Sequence, residues 1–196
     1  VTGGGTMLKR GYLGRVQGQL SAQGVASVVY DKITPNPESD QVDEAAVICR
    51  DMGVDMVVGL GGGSAVDTAK AVALTAANEG SIWDFIPSGS GGGATPKHPA
   101  LPVVALPTTA GTGTEADPWF VVTKSGAREK TGFGLDSTFP HLAVVDPELT
   151  LSVPPRLTAL TGLDAFFHAV ECYLNPNRQP VSDMLSLEAV HLVAEE

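Results

Sequence analysis

The sequence predicts an α/β fold built on a largely parallel sheet, followed by a helical part. Two observations carry this. Short apolar runs alternate with segments of helical periodicity over roughly the first three quarters of the chain, and that alternation generates βαβ units with parallel strands. After "SVPPRLTAL" the strand signal stops and only helical segments follow. The Pro154-Pro155 pair marks the boundary, giving an α/β domain over 1–154 and the beginning of an α-helical domain over 155–196.

The elements follow in order. Met7, Leu8, Tyr12, Leu13, Val16 and Leu20 recur every three to four residues after Gly3-Gly4-Gly5, predicting a helix behind a glycine turn. "VASVVYD" reads as a short strand closed by the loop "ITPNPES". Ala45, Ala46, Ile48, Cys49 and Met52 predict a second helix, "VDMVVGL" a buried strand, and Ser64 to Ala77 a third helix with Ser64 as its cap. "PSGSGGGATPKHPA" is a solvated loop, while "LPVVALP", "WFVVT" and "HLAVVD" are further strands. Two helices, "RLTALTGLDAFFHAVECYL" and "VSDMLSLEAVHLVAEE", complete the chain, which has no internal repeat.

Composition narrows the function. At 43% apolar residues the chain has ample material for a core and is expected to fold as a soluble globule. Twelve Lys and Arg against 22 Asp and Glu leave a charge of -10, which disfavours nucleic acid and anionic membrane as partners. Any phosphate must therefore be held locally. Cys49 and Cys172 are the two cysteines, with no CxxC, so two free thiols in a reducing, cytoplasmic compartment are expected. Asp67 and Lys70 interrupt the most apolar region, and no run approaches the ~18 residues of a membrane span. A start at Val1 and an end in mid-pattern lead us to expect part of a longer chain.

Three stretches carry chemistry. Gly61-Gly62-Gly63-Ser64 sits where strand meets helix, so bare N–H groups and the positive end of the helix dipole face an anion. The competing reading, a tight turn needing positive φ, explains one glycine well and three in a row poorly. The spacing is neither a P-loop nor a clean GxGxxG. Thr108-Thr109-Ala110-Gly111-Thr112-Gly113-Thr114-Glu115 follows a strand and offers hydroxyls and exposed amides, either as a second ligand-facing loop or as an ordinary polar turn. Asp164 and His168 lie four residues apart in a helical segment, on one face, where carboxylate and imidazole suit a single metal ion. The alternative is a helix-capping Asp164 beside a semi-buried structural histidine. His98 and His141 read as loop residues and His191 as a residue of the last helix, none of them a ligand.

In order along the chain, "GGGTMLKRGYL", "TPNP", "GLGGGSAVDTAKA", "LPTTAGTGTEAD", "VVDPELT" and "GLDAFFHAVECYL" resemble the iron-containing (group III) alcohol dehydrogenases, from Gly3 to about Leu174. The resemblance implies a Rossmann-like dinucleotide-binding domain followed by an all-α, metal-binding domain, the dehydroquinate synthase-like arrangement, with substrate in the cleft between them. Gly61, Gly62, Gly63 and Ser64 would then cradle a pyrophosphate, with Asp67 in the same motif and Asn36 near the adenosine half. Thr108, Thr109, Gly111 and Thr112 would hold phosphate and the nicotinamide side, Lys130 would lie near the cofactor ribose, and Asp164 and His168 would be the first two metal ligands. Two further histidines usually complete that metal site, in a region past Glu196.

NAD-preferring relatives often carry Asp where this sequence has Gly3, so the resemblance favours NADP over NAD. The sequence departs from the family at Asp117-Pro118-Trp119, where smaller or polar residues are commoner beside the nicotinamide loop. The implied activity is hydride transfer between the nicotinamide and an alcohol or aldehyde, assisted by Fe²⁺, with Zn²⁺ as the alternative metal. A full-length protein of this kind would be a homo-oligomer. The alternatives are a catalytically inert nucleotide-binding fragment, or a related enzyme such as a glycerol dehydrogenase, a maleylacetate reductase or a dehydroquinate synthase.

Overall fold

The computed structural model describes residues 1–3 and 5–195; Gly4, part of the expected glycine turn, and Glu196 lie outside the described residues. The chain divides into two compact units, Val1–Thr108 with Thr114–Asp146, and Thr109–Gly113 with Pro147 onward. The Pro154-Pro155 pair falls inside the second.

The first unit is α/β. Its helices are α1 (Thr6–Lys9), α2 (Tyr12–Ala22), α3 (Ser39–Asp51), α4 (Gly63–Ala77) and the single turn α5 (Ile82–Phe85). The strands β1 (Val57–Gly61), β2 (Val103–Pro107) and β5 (Leu142–Ala143) form a parallel sheet in the order β1-β2-β5. Val1–Gly3 continues that sheet on the other side of β1: Thr2 bridges Leu60 in parallel and the Val1 amine donates to the Val58 carbonyl at 2.8 Å.

Helix α4 is the centre of the unit. Ten of its residues are buried, from Ala65 to Thr75, because it packs on β1 and β2 and also on α3 and on a hairpin described below. A helix enclosed on that many sides has little polar face. Its run of alanines lets it approach the sheet closely, and Gly59 on β1 completes the fit: a Cβ there would stand 3.0 Å from Val66 Cα and from Ala69 Cβ. Val42, Ala45 and Cys49 of α3, Val72 and Leu74 of α4, and Ile82 and Phe85 of α5 close the core with Val57 and Val103.

Several expectations are corrected. The first helix is two, broken at Gly11, whose φ of 74° is left-handed. Ser64 does not cap α4; Gly62 is the N-cap residue and Ser64 lies in the first turn. The strand expected at "WFVVT" exists as β3 (Phe120–Thr123) but pairs antiparallel with β4 (Lys130–Phe133), apart from the parallel sheet. Its alternating burial explains this: Phe120 and Val122 face inward onto the core while Val121 and Thr123 are partly exposed, the pattern of a hairpin with one covered face. "VASVVYD" forms no ladder; next to it are the Thr2 N–H bond to the Tyr30 carbonyl at 2.9 Å and the Gly3–Ile33 bridge. An apolar cavity of about 490 Å³ lies beside this stretch, lined among others by Leu13, Val16, Leu20, Val28 and Val58, and by none of the residues with an expected cofactor or metal role.

The second unit contains α6 (Pro155–Leu174) and α7 (Pro180–Ala194), which pack on each other, each with a proline in its first turn. Both cysteines are free, Cys49 buried and Cys172 exposed. No described helix is long and apolar enough to cross a membrane.

Candidate functional site

The glycine cluster occupies the junction for which its composition suits it. Gly61 ends β1 with φ 148°, and a Cβ there would come within 2.8 Å of Ala65 Cβ, so the strand can turn into α4 only without a side chain. Gly62, by contrast, has φ -73° and ψ -177°, backbone angles that any residue adopts. The first-turn N–H groups of α4, from Gly63 and Ser64, have no carbonyl ahead of them in the helix and point outward with the positive end of the dipole.

Around that helix start the structure gathers residues distant in sequence. Ser64 Oγ accepts the Asn36 N–H at 3.3 Å, and Asn36 Oδ1 accepts from Lys130 Nζ at 2.6 Å. Asn36 holds φ 60°, the single non-glycine residue with positive φ among those described, a conformation asparagine tolerates. Lys130 is delivered by the β3–β4 hairpin, where it pairs with Thr123. Gly3 stands on the neighbouring strand, at the same end of the sheet as Gly61, and Thr108 follows β2 with its N–H on the Gly61 carbonyl at 2.9 Å. Gly3, Asn36, Gly61–Ser64, Thr108 and Lys130 thus lie at the carboxyl ends of parallel strands or beside them, where open α/β sheets place ligands. The donor set, helix N–H groups with one hydroxyl and one ammonium, fits a phosphate-bearing group.

Asp67, one turn into α4, is drawn inward. Its Oδ1 accepts the Thr114 hydroxyl at 2.6 Å and its Oδ2 the Val121 N–H at 3.0 Å. Burial pushes its carboxyl above the usual carboxylate range, against the opposing effect of those two bonds. Beside it stands Lys70, which enters the sequence reading only as a charge interrupting an apolar run. The side chain is fully buried and its Nζ lies 3.1 Å from Asp117 Oδ1. Its partners are 44 to 49 residues away in sequence, out of reach of any local pattern.

The remaining expected residues belong to the second unit. Thr109, Gly111 and Thr112 lie in its short first segment. Gly111 has φ 113°, and a Cβ there would come within 2.3 Å of the Thr161 carbonyl, so α6 and this segment touch backbone to backbone. Asp164 and His168 lie on one face of α6, Oδ1 and Nε2 3.7 Å apart, both side chains about half exposed. Asp164 sits ten residues into the helix, so it is not a cap, and His168 is not semi-buried. Their separation suits two donors on one cation, yet among the described residues no third His, Cys, Asp or Glu joins them. His191 of α7 pairs with Glu195, just past the end of that helix, at 3.2 Å, while the His98 and His141 backbones bond to Asn78 and Val103.

Residues 1–147 match the family described as iron-containing alcohol dehydrogenase, and residues 158–196 match the C-terminal region of the Fe-containing alcohol dehydrogenase family. The chain belongs to the iron-containing alcohol dehydrogenase family. It is 37% identical over 188 residues to long-chain-alcohol dehydrogenase 1 of Geobacillus thermodenitrificans, an alignment covering 96% of this chain and 47% of that protein. Among solved structures, an archaeal halo-thermophilic alcohol dehydrogenase from a Red Sea brine pool superposes with a TM-score of 0.95 at 39% identity, covering 100% of this chain and 50% of the other. Sulfoacetaldehyde reductase from Bifidobacterium kashiwanohense, solved in complex with NAD+, gives a TM-score of 0.88 at 38% identity, with 98% and 50% covered. The chain spans about half the length of the relatives it matches.

Proposed function

We propose that the first unit binds a nicotinamide dinucleotide with its pyrophosphate at the start of α4, and that the whole protein moves hydride between that cofactor and an alcohol or aldehyde. The observation that carries this is the hydrogen-bonded chain from Lys130 through Asn36 to Ser64 at a glycine-lined helix N-terminus. In this reading the N–H groups of Gly61–Ser64 and the Ser64 hydroxyl bind the pyrophosphate, Asn36 and Lys130 take the adenosine half and its ribose, and Asp67 offers its remaining lone pairs. Thr108, Thr109, Gly111 and Thr112 hold phosphate and the nicotinamide side. Gly3, with no carboxylate to repel a 2′-phosphate, favours NADP over NAD, and two free thiols agree with a reducing, cytoplasmic setting.

Asp164 and His168 would hold the divalent metal, Fe²⁺ before Zn²⁺. Once bound, it supplies Lewis-acid stabilisation of the oxygen on the reacting carbon. The chain's own task is positioning: the helix start fixes the charged centre of the cofactor, and the residues on either side set the orientation of its two ends. A second reading, a dinucleotide-binding chain without turnover of its own, is favoured by the two-donor metal site.

The test is a fluorescence titration with NADPH and NADH, followed by an aldehyde-reduction assay with added Fe²⁺ or Zn²⁺. Saturable binding of either dinucleotide supports the cofactor site. Failure of both to bind at millimolar concentration removes it.

A further inference from the structure

Lys70 is the largest fully buried side chain among the described residues. A cation in an apolar interior is costly unless every hydrogen is placed, so its partners show what it holds. Nζ lies 2.8 Å from Thr114 Oγ1, 2.8 Å from the Asp117 carbonyl, 2.8 Å from the Trp119 carbonyl and 3.1 Å from Asp117 Oδ1. All four act as acceptors, because the Thr114 hydroxyl hydrogen is committed to Asp67 Oδ1. A neutral amine would turn its lone pair on one of them. The group is therefore an ammonium, although burial pushes its pKa down.

Asp67, three residues earlier on the same face of α4, takes the Val121 N–H with its other oxygen. Asp117 supplies two of the four acceptors, and its Oδ1 also takes the Trp119 N–H at 2.7 Å. The unusual Asp117-Pro118-Trp119 stretch is thus the part of the loop that fits itself to Lys70. Between them, two side chains of α4 grip positions 114, 117, 119 and 121.

We propose that Lys70 is a positioning residue: with Asp67 it fastens the Thr114–Val121 segment to the helix that begins at the glycine cluster, and so sets the nicotinamide half of the cofactor site while leaving the adenosine half alone. This rests on the dinucleotide reading above. Thr114 stands two residues after Thr112, at the end of the threonine loop assigned to the nicotinamide side. The adenosine half is assigned to Asn36 and Lys130, whose hydrogen bonds run from Lys130 to Asn36 and from Asn36 to Ser64, none of them a partner of Lys70.

The experiment compares Lys70→Met with the parent chain in two measurements. Hydrogen exchange should show the Trp119 and Val121 amides opening at least about tenfold faster, with α3 unchanged, since hydrogen bonds to a charged group are lost there and nowhere else. Titration should show the NADPH dissociation constant rising about tenfold while that for ADP, a probe of the adenosine half, changes less than about twofold. Unchanged exchange at 114–121 overturns the fastening. Equal weakening of ADP and NADPH overturns the division between halves and leaves Lys70 a stability residue. If the parent binds neither nucleotide, the dinucleotide reading fails and takes the cofactor consequence with it, while exchange still decides the fastening. Should Lys70→Met not fold, Thr114→Val deletes the hydroxyl shared by Lys70 and Asp67, with the same pattern expected at about threefold.

Discussion

Gly62→Asp separates the two roles that a glycine at a helix start can have. Gly62 is the N-cap of α4, with backbone angles of φ -73° and ψ -177° that aspartate adopts freely. Aspartate is among the preferred N-cap residues, its carboxylate accepting the N–H of the second or third helical residue, here Ser64 or Ala65. The change should therefore hold or raise stability, by a few tenths of a kcal/mol relative to glycine. Binding should move the other way. On the proposed reading the new carboxylate takes up donors that would serve the cofactor and sets a negative charge about 5 Å from a pyrophosphate carrying two; even in water-like surroundings that repulsion amounts to roughly 1.5 kcal/mol. Dinucleotide affinity should fall at least tenfold, about 1.4 kcal/mol.

The assay pairs a fluorescence titration with a denaturant melt on the same preparations. Weaker binding at equal or higher stability is the expected result. An unchanged dissociation constant refutes the phosphate seat, and a large loss of stability refutes the assignment of Gly62 as a conformationally ordinary N-cap.

Gly3→Asp should move cofactor preference from NADP toward NAD, measured by parallel titrations; its Cβ would meet nothing nearer than the Ile33 carbonyl at 3.8 Å, so a change in preference would not reflect crowding. A parent that already prefers NAD strongly would defeat the assignment of Gly3. Gly61→Ala should destabilise the chain by about 1–3 kcal/mol in a urea melt, since it combines a φ of 148° with a 2.8 Å approach to Ala65 Cβ. Finally, the 196-residue chain should bind cofactor without sustained aldehyde turnover, because Asp164 and His168 are two donors where a catalytic site offers about three; robust NADPH oxidation after dialysis would show that the site is completed in another way.

Much of the α/β framework was legible because its signals are local. An apolar run ending in Gly61-Gly62-Gly63-Ser64 announces a strand turning into a helix, and β1 and α4 meet there. "LPVVALP" announces a strand in the same way, and the Pro154-Pro155 pair heralds the two helices of the second unit. What was not legible depends on partners. "WFVVT" reads as a strand from its own residues, but its antiparallel pairing with residues 130–133 depends on a segment whose strand character is weak in sequence. "VASVVYD" has strand composition and no ladder, because the neighbouring Val1–Gly3 stretch reaches it at one backbone bond, to Tyr30, and makes its bridge further on, at Ile33. Ser64 looked like a cap because serine usually is one; the structure gives that position to Gly62 and turns the serine hydroxyl toward Asn36.

The candidate site divides along the same line. The glycines and Ser64 are contiguous and could be found as a motif, whereas Asn36 and Lys130 have no local feature beyond a proline-flanked asparagine and a strand-edge lysine. Lys70 is the instructive case. In the string "DTAKAVALTAA" a lysine is most simply a solvent-facing residue of an amphipathic helix, and with an alanine-rich neighbourhood nothing argues otherwise until the helix is found enclosed. Enclosure changes the meaning of the same residue: an ammonium that cannot reach water must organise backbone carbonyls around itself, and those carbonyls belong to the loop after the threonine segment. The central position of α4 thus ties the glycine-lined helix start to the 114–121 segment. A helix enclosed enough to hold its N-terminal N–H groups in place is also buried enough to turn one lysine in its middle into an anchor for the loop beside it.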